Sequence, residues 1–428
     1  MWRATAPEIQ PLSFPPMSIT LRPIRAEELE AWFASFASAF YIWPSDPAAK
    51  AESRGPSMDL DRAIGAFDGD TIVGTFRSFP TLLTLPGGGR VPANAVSAVS
   101  VRPTHRRGGI LTRMAHDDIR RAAERGDAVC VLIASEWPIY GRFGYGPATW
   151  QATMTLRGRV TKALVEPVGS IDIIRPVPAR EILPELYDRC AASQPGEIGR
   201  PDRRWDVELG IVEVPGRPKW AGQVVIHRDA EGRTDGFARF HGEENWVDMA
   251  AEHVMLLDEL HATNVGAELD LWRHLLQMDL TATIKAEVRR TNEPLKWLLS
   301  NPRALQVSGI TDFLWLRILD VPRVLGERRY DRDGELVLDV RDDLGEAAGP
   351  AAGRYRLVVR DGSANCERTD AAADLTIDVR ALSAASLGGT RLRDASRALA
   401  FVEHRPGAMR EAEAIFLTVE PPWCSTWF

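Results

Sequence analysis

The sequence predicts an α+β protein of three successive domains: two mixed sheets flanked by helices, then a third domain in which alternating strands give way to helices. Three observations carry this. The chain has 428 residues, about three times a typical domain length. A strand, a basic glycine loop, a helix and a second strand follow one another at 95–150, and a similar succession without that loop returns downstream. From about residue 312 the pattern changes to alternating strands and short helices.

Composition bounds the class. Hydrophobic residues make up 45% and charged residues 26%, which allows substantial cores and excludes a disordered or fibrous chain. Lys and Arg total 52 against 59 Asp and Glu, a net charge of −7, so a nucleic-acid partner is not expected and a cationic small molecule suits better. Cys130, Cys190, Cys366 and Cys424 lie far apart with no CxxC or Cys/His spacing, so neither a disulfide scaffold nor a metal site is expected. No run approaches the eighteen or so apolar residues of a spanning helix, and the start lacks a signal-like segment. The expectation is a reduced, cytoplasmic protein without membrane insertion.

Taken in order, residues 1–17 carry four prolines and read as a flexible leader, with Met17 as an alternative start. A strand is predicted over 19–22 and a helix over 25–40, where Leu29, Phe33, Phe36 and Phe40 recur at helical spacing. Strands follow near 63–67, 71–79 and 81–85, and the last turns through 86–90 into a segment ending at Val101. Gly87, Gly88 and Gly89 lie between strand-like runs and read as a hairpin loop rather than a phosphate cradle. The next helix places Ile110, Leu111, Met114, Ala115, Ile119 and Ala122 on one face and stops at Gly126. The run at 129–134 is apolar throughout, as in a strand covered on both faces. Further strands are predicted near 171–176, 223–227, 236–240, 245–250 and 254–260, with a helix near 267–278. The last region shows a helix at 321–327, strands at 335–340, 354–360 and 375–378, a hairpin loop at 346–353, and helices at 381–386 and 392–401.

The chemistry concentrates in the first of these regions. Arg106, Arg107, Gly108 and Gly109 stand where a strand gives way to a helix. Open amides and the positive end of the helix dipole make such a turn an anion site, and glycine allows close backbone approach. The surrounding VSAVSVRPTHRRGGIL at 96–111 and ASEWPIYGRFGYGPAT at 134–149, with an aromatic last residue Phe428, resemble the Eis (enhanced intracellular survival) family of N-acetyltransferases within the GNAT superfamily. That resemblance implies a GNAT domain binding acetyl-CoA (18–158), a degenerate second GNAT-like domain (159–304), and a sterol-carrier-protein-like domain (305–428) whose tail reaches the active site. It also implies a homohexamer, carried over from the family.

Carried over residue by residue, the resemblance implies that Val99, Ser100 and Val101 pair through their backbone with the pantetheine arm of acetyl-CoA. Arg106, Arg107, Gly108, Gly109, Ile110, Leu111 and Thr112 would hold its phosphates, and Ser135 and Glu136 would complete the contact. Leu111 stands where many GNAT members carry Gly or Ala, as it does in the Eis family.

Acetyl transfer to an amine needs a neutral amine, a polarised thioester and an acid for the leaving thiolate. Tyr140 fits the acid role, since a phenol near pKa 10 stays protonated at neutral pH. Tyr145 is the rival hydroxyl, and the motif favours Tyr140. For the base, the resemblance points to the C-terminal carboxylate of Phe428, whose ordinary pKa of about 3.3–3.7 would rise on desolvation. The tail EPPWCSTWF supports this independently: Trp423, Trp427 and Phe428 read as a tail built to be buried. His105 and His116 read as surface or core histidines. Trp32, Phe33, Phe36, Phe40, Tyr41 and Trp43, with Glu27, Glu28 and Glu30, cluster where an acceptor pocket could be lined, although aromatics at helical spacing are more often core.

The expected function is acetyl-CoA-dependent N-acetylation of cationic small molecules of aminoglycoside or polyamine type, by direct attack in a ternary complex and with no metal. The alternatives are a non-catalytic CoA-binding regulator and a lipid carrier acting through the last domain.

Overall fold

The structure, a computed structural model, describes residues 18–40, 46–344 and 347–428. The predicted leader, Tyr41 and Trp43 lie outside the described residues. The chain divides into two compact units, Met1–Arg77 with Ala98–Met114, and Ser78–Ser97 with Ala115–Phe428. Strands Thr71–Thr84 and Arg90–Val101 and helix Ile110–Glu124 each carry residues of both units.

In the first unit, strand Ile19–Pro23 runs antiparallel to Ala63–Asp68, which runs antiparallel to the start of Thr71–Thr84. Helix Leu29–Ala39 covers them, burying Leu29, Trp32 and Phe33 against Phe67 and Ile72. The Trp32 indole N–H donates to the Ile64 carbonyl at 3.0 Å, which fixes the helix on the strand. Pro47–Arg54 forms a helix that periodicity did not suggest, because its sequence has no apolar face. Asp46 caps it by accepting from the Ala49 amide at 2.8 Å, and Pro47 opens it.

In the second unit, the start of Arg90–Val101 runs parallel to Val129–Ile133, Ala93 opposite Val129. Leu314–Ile318 adds antiparallel on the far side of Val129–Ile133, and Gly146–Pro147 follows it. A second sheet takes the order Leu305–Asp312, Trp150–Arg157, Thr281–Arg289, His253–Ala262, Thr234–Glu243, Gln223–Arg228, Ser170–Ile174. Within it His253–Ala262 and Thr281–Arg289 are parallel, joined by helix Val265–Leu276. This repeats the strand, helix, parallel strand layout expected of a second copy. The third sheet runs Ser363–Arg368, Gly353–Arg360, Gly334–Arg341, Leu375–Asp378, Phe401–Glu403. Its core joins the first sheet's, so Leu85, Val131 and Leu316 share one apolar cluster with Leu338, Leu357 and Ile377.

The structure departs from the sequence reading at several points. The two strands expected at 71–79 and 81–85 are one strand that accommodates Pro80. The segment expected as a strand over 245–250 is a short hairpin pairing Trp246–Val247 with Ala250–Ala251, turned by left-handed Asp248 and Met249. The helix expected over 392–401 ends at Ala395, and 176–191 is helical despite an internal Pro184. Sheet membership also crosses the expected domain bounds. Trp150–Arg157 and Leu305–Asp312 pair with each other in the second sheet, whereas Leu314–Ile318 returns to Val129–Ile133. A strand joins whichever edge offers unpaired N–H and C=O groups, and those edges come from distant parts of the chain.

Candidate active site

In the first unit the site begins where strand Arg90–Val101 loses regularity. Ala98 is left-handed (φ 50°), and the Thr75 hydroxyl donates to its carbonyl at 2.8 Å while lying 2.7 Å from the Ser100 hydroxyl. Ser100 is buried, and Val99 and Val101 are half-buried. The chain then crosses through a turn at Pro103–His105 and enters helix Ile110–Glu124, anchored by buried Ile110 and Met114.

The loop before that helix has a specific backbone. Arg107 (φ 65°) and Gly109 (φ 77°) are both left-handed, and nothing lies within 4 Å of where a Gly109 Cβ would point. Glycine is needed there for conformation, not space. A non-glycine residue such as Arg107 holds this conformation at a cost of about 1 kcal/mol. Gly108 and Gly109 are exposed, and the first amides of the helix have no intrahelical acceptor, so N–H groups and the dipole face outward together. Arg106 does not extend beside them. Its guanidinium donates to the Val101 carbonyl at 3.1 Å and the Ala39 carbonyl at 3.0 Å, clamping the loop, while Arg107 stays exposed. Leu111 and Thr112 are half-buried on the first turn. The second copy differs where it matters. Only Thr263 and Asn264 separate its strand from its helix, and the Asn264 side chain accepts from the Ala267 amide at 2.9 Å. Its helix start is capped by its own chain and has no loop to wrap an anion.

The aromatics expected near an acceptor pocket divide. Trp32 and Phe33 are core, Phe36 is half-buried and Phe40 is exposed. Glu28 is engaged by Arg22 at 2.7 Å and by Arg25 at 2.9 Å, and these hydrogen bonds bring its carboxyl down to about 2. It is committed to the fold. His105 lies 3.3 Å from Asp68.

In the second unit Ser135 and Glu136 are exposed just past strand Val129–Ile133, and Glu136 precedes the helical turn Trp137–Tyr140. Tyr140 is buried, and burial, with the negative charge of Glu136, pushes its phenol up to about 12. The Tyr145 ring meets it edge-on at 6.0 Å and is itself fully enclosed. The loop between them is shaped from below by Arg317. This buried side chain donates from Nη1 to the Phe143 carbonyl at 2.7 Å and from Nη2 to both Asp342 carboxylate oxygens, at 2.8 and 2.9 Å. Gly144 (φ 82°) leaves room for it, since a Cβ there would lie 1.6 Å from an Arg317 nitrogen. A Gly146 Cβ would meet the Arg380 carbonyl at 2.2 Å. Both glycines therefore fit the backbone against strand Leu314–Ile318 and helix Val379–Ala385. His116 is half-buried and packs edge-on against Phe143 at 5.8 Å, and burial with the nearby Arg317 charge lowers its pKa.

The tail is held along its length. The Trp423 amide donates to Pro195, the Ser425 amide to a Glu197 carboxylate oxygen at 3.1 Å, and Arg200 donates to Thr426 at 2.8 Å and Ser425 at 2.9 Å. Tyr187 donates to the other Glu197 oxygen at 2.8 Å, and Arg204 to the Trp427 carbonyl. The Phe428 ring is half-buried edge-on against Phe79 at 5.6 Å. Trp423 is buried as expected, but Trp427 is 62% exposed: the backbone is captured and the indole left outside.

Sequence reasoning missed Arg317, Asp342, Tyr187, Glu197 and Arg200. Arg317 and Asp342 are 25 residues apart, and Arg200 and Thr426 are 226. No local spacing announces such pairs. Among the described residues no group of three or more His, Cys, Asp or Glu is placed to hold a metal, and no helix is long and apolar enough to cross a membrane.

Comparison with known proteins meets this geometry. Residues 20–148 and 196–318 each match an Acetyltransferase (GNAT) domain family, and 321–425 match a Sterol carrier protein domain family. An uncharacterized N-acetyltransferase of Streptomyces griseus is 37% identical over 95% of this chain and 99% of its own length. N-acetyltransferase Eis of Mycobacterium tuberculosis is 32% identical over 83% of this chain and 86% of its own. The crystal structure of Eis1 from Mycobacterium abscessus superposes with a TM-score of 0.83 at 33% identity, covering 96% of this chain and all of that one. A GCN5-related N-acetyltransferase from Anabaena variabilis shares the fold, with a TM-score of 0.79 at 18% identity over 96% of this chain and all of that one.

Proposed function

The chain belongs to the Eis family of GNAT N-acetyltransferases, and from that premise we propose that it moves acetyl from acetyl-CoA to amines of cationic small molecules, aminoglycoside or polyamine in type, by direct transfer in a ternary complex. The observation that carries this is the helix start at Ile110, which follows left-handed Arg107 and Gly109 and where no backbone hydrogen bond from the amides of Gly108 to Thr112 is found among the described residues. That backbone suits the phosphates of a CoA thioester.

In this reading the edge at Val99, Ser100 and Val101 pairs with the pantetheine amides, and the amides from Gly108 to Thr112 hold the phosphates, with Arg107 adding charge. Arg106 contributes by clamping the loop. Ser135 and Glu136 complete the thioester contact. Tyr140 stays neutral because its site excludes water, so it can donate to the leaving thiolate. The Phe428 carboxylate takes the amine proton, which makes the anchoring of the tail part of the catalytic apparatus. The protein works as a homohexamer in the cytoplasm.

The deciding test measures thiol release from acetyl-CoA with a panel of polyamines and aminoglycosides, comparing the native chain with one carrying two residues after Phe428. The expected result is turnover by the native chain and loss of rate in the extended one, with acetyl-CoA binding retained in both. Equal turnover would place the base elsewhere. Binding of CoA without transfer to any amine would favour a regulator.

A further inference from the structure

We propose that a cleft lined by the second GNAT domain and the C-terminal tail is a binding site for a small aromatic anion. The cleft has a volume of ≈ 570 Å³, within the range of small-molecule sites. Five cationic side chains line it against three carboxylates.

Those carboxylates are already engaged. Glu259 lies between Arg200, at 2.7 Å, and Arg239, and although burial pushes its pKa up, the two arginines hold it well below the usual range. Asp258 accepts from the Trp220 indole at 2.8 Å and lies 3.1 Å from a His241 nitrogen. Glu208 is paired with Arg204. The lining carries two positive charges in excess; Lys219 lies 3.6 Å from Glu213 at the rim, and Arg217 has no carboxylate partner among the described residues. Arg217 and Lys219 are exposed, and the Arg204 Nε is buried without a hydrogen bond among the described residues.

The walls supply the second half of the chemistry. Trp220 lies beneath the Arg239 guanidinium, 5.0 Å from its ring centre, and Trp427 offers an indole that is 62% exposed while its carbonyl is held by Arg204. Indole faces beside surplus guanidinium groups recognise a planar ring bearing a carboxylate or a phosphate. A cationic amine, the expected acceptor class, would be repelled here. The cleft shares Arg200, Arg204, Ser425 and Trp427 with the anchored tail, but the ligand it selects is opposite in charge to the expected acceptor, and its test reads binding rather than acetyl transfer.

The test is calorimetric titration of the full chain with benzoate and with phenyl phosphate, using benzamide as the uncharged control. The variant Arg217→Glu/Lys219→Glu changes only exposed side chains, and circular dichroism checks that it folds. Saturable binding of at least one anion, no binding of benzamide, and a loss of about tenfold or more in affinity in the variant are the expected results. The tighter anion tells a carboxylate ligand from a phosphate ester. The proposal is overturned if neither anion saturates by about 10 mM, if benzamide binds as well as the anions, or if charge reversal leaves affinity unchanged.

Discussion

Tyr140 shows how one residue's surroundings set its use. Burial and the Glu136 charge bring its phenol up to about 12, so it keeps its proton where a free tyrosine near 10 would begin to lose it. With Tyr140 as the proposed acid, the activity profile should show no alkaline limb from its ionisation below about pH 11, read from thiol release against pH at saturating amine. The same shift makes stability fall as pH rises from about 10 to 12, because the unfolded chain ionises the phenol first. Tyr140→Phe should lower the transfer rate by about a hundredfold or more while leaving acetyl-CoA affinity intact, measured by steady-state kinetics and calorimetry. An unchanged rate would shift attention to Tyr145, whose complete enclosure argues against direct donation. Arg106 was legible as a basic loop residue, but its attachment to the Val101 and Ala39 carbonyls was not, because Ala39 lies 67 positions away.

Two strand-to-helix junctions, alike in order, differ in what precedes the helix. The first has an eight-residue connection, 102–109, with left-handed residues, and the second has two residues and an asparagine cap. In backbone terms, this is why the proposed phosphate site is assigned to the first copy alone. Gly109→Ala should raise the KM for acetyl-CoA several-fold with little change in kcat, since it strains the loop by about 1 kcal/mol without touching Tyr140. A KM equal to the native value would remove the loop from the binding account. The 141–147 loop depends on its neighbours in another way. Arg317 and Asp342 form a fully buried pair beneath it, so Asp342→Asn leaves a buried guanidinium uncompensated and should cost about 3–5 kcal/mol in chemical denaturation. The glycine-rich motif was readable as a motif. Its reason, room for Arg317 under Gly144 and for the Arg380 carbonyl under Gly146, required the fold.

Across the molecule, a tail at the far end of the sequence is threaded onto the segment 187–205 by Glu197, Tyr187 and Arg200. Glu197 is buried and holds the Ser425 amide and the Tyr187 hydroxyl on its two oxygens. Glu197→Ala leaves the Ser425 amide without its acceptor, at about 1–3 kcal/mol, while the Tyr187 hydroxyl keeps the Ile198 carbonyl at 2.8 Å. The tail should then become susceptible to carboxypeptidase and the transfer rate should fall, with CoA affinity unchanged. A tail as resistant as the native one would break this link between anchoring and catalysis. The third domain's core is continuous with that of the first sheet, and Leu314–Ile318 belongs to that sheet. The sequence by itself determined the three-part order, the basic glycine loop before the helix, the Tyr140 motif and the apolar character of the tail, because each rests on neighbouring residues whose spacing and backbone preference are local. Only the tertiary structure decided which strands share a sheet, that Arg106 clamps instead of reaching outward, that Trp427 stays exposed, and that Arg317 holds the 141–147 loop while Glu197 and Arg200 hold the tail. Those outcomes depend on long-range pairing of buried charges and open strand edges, which no periodicity along the chain encodes.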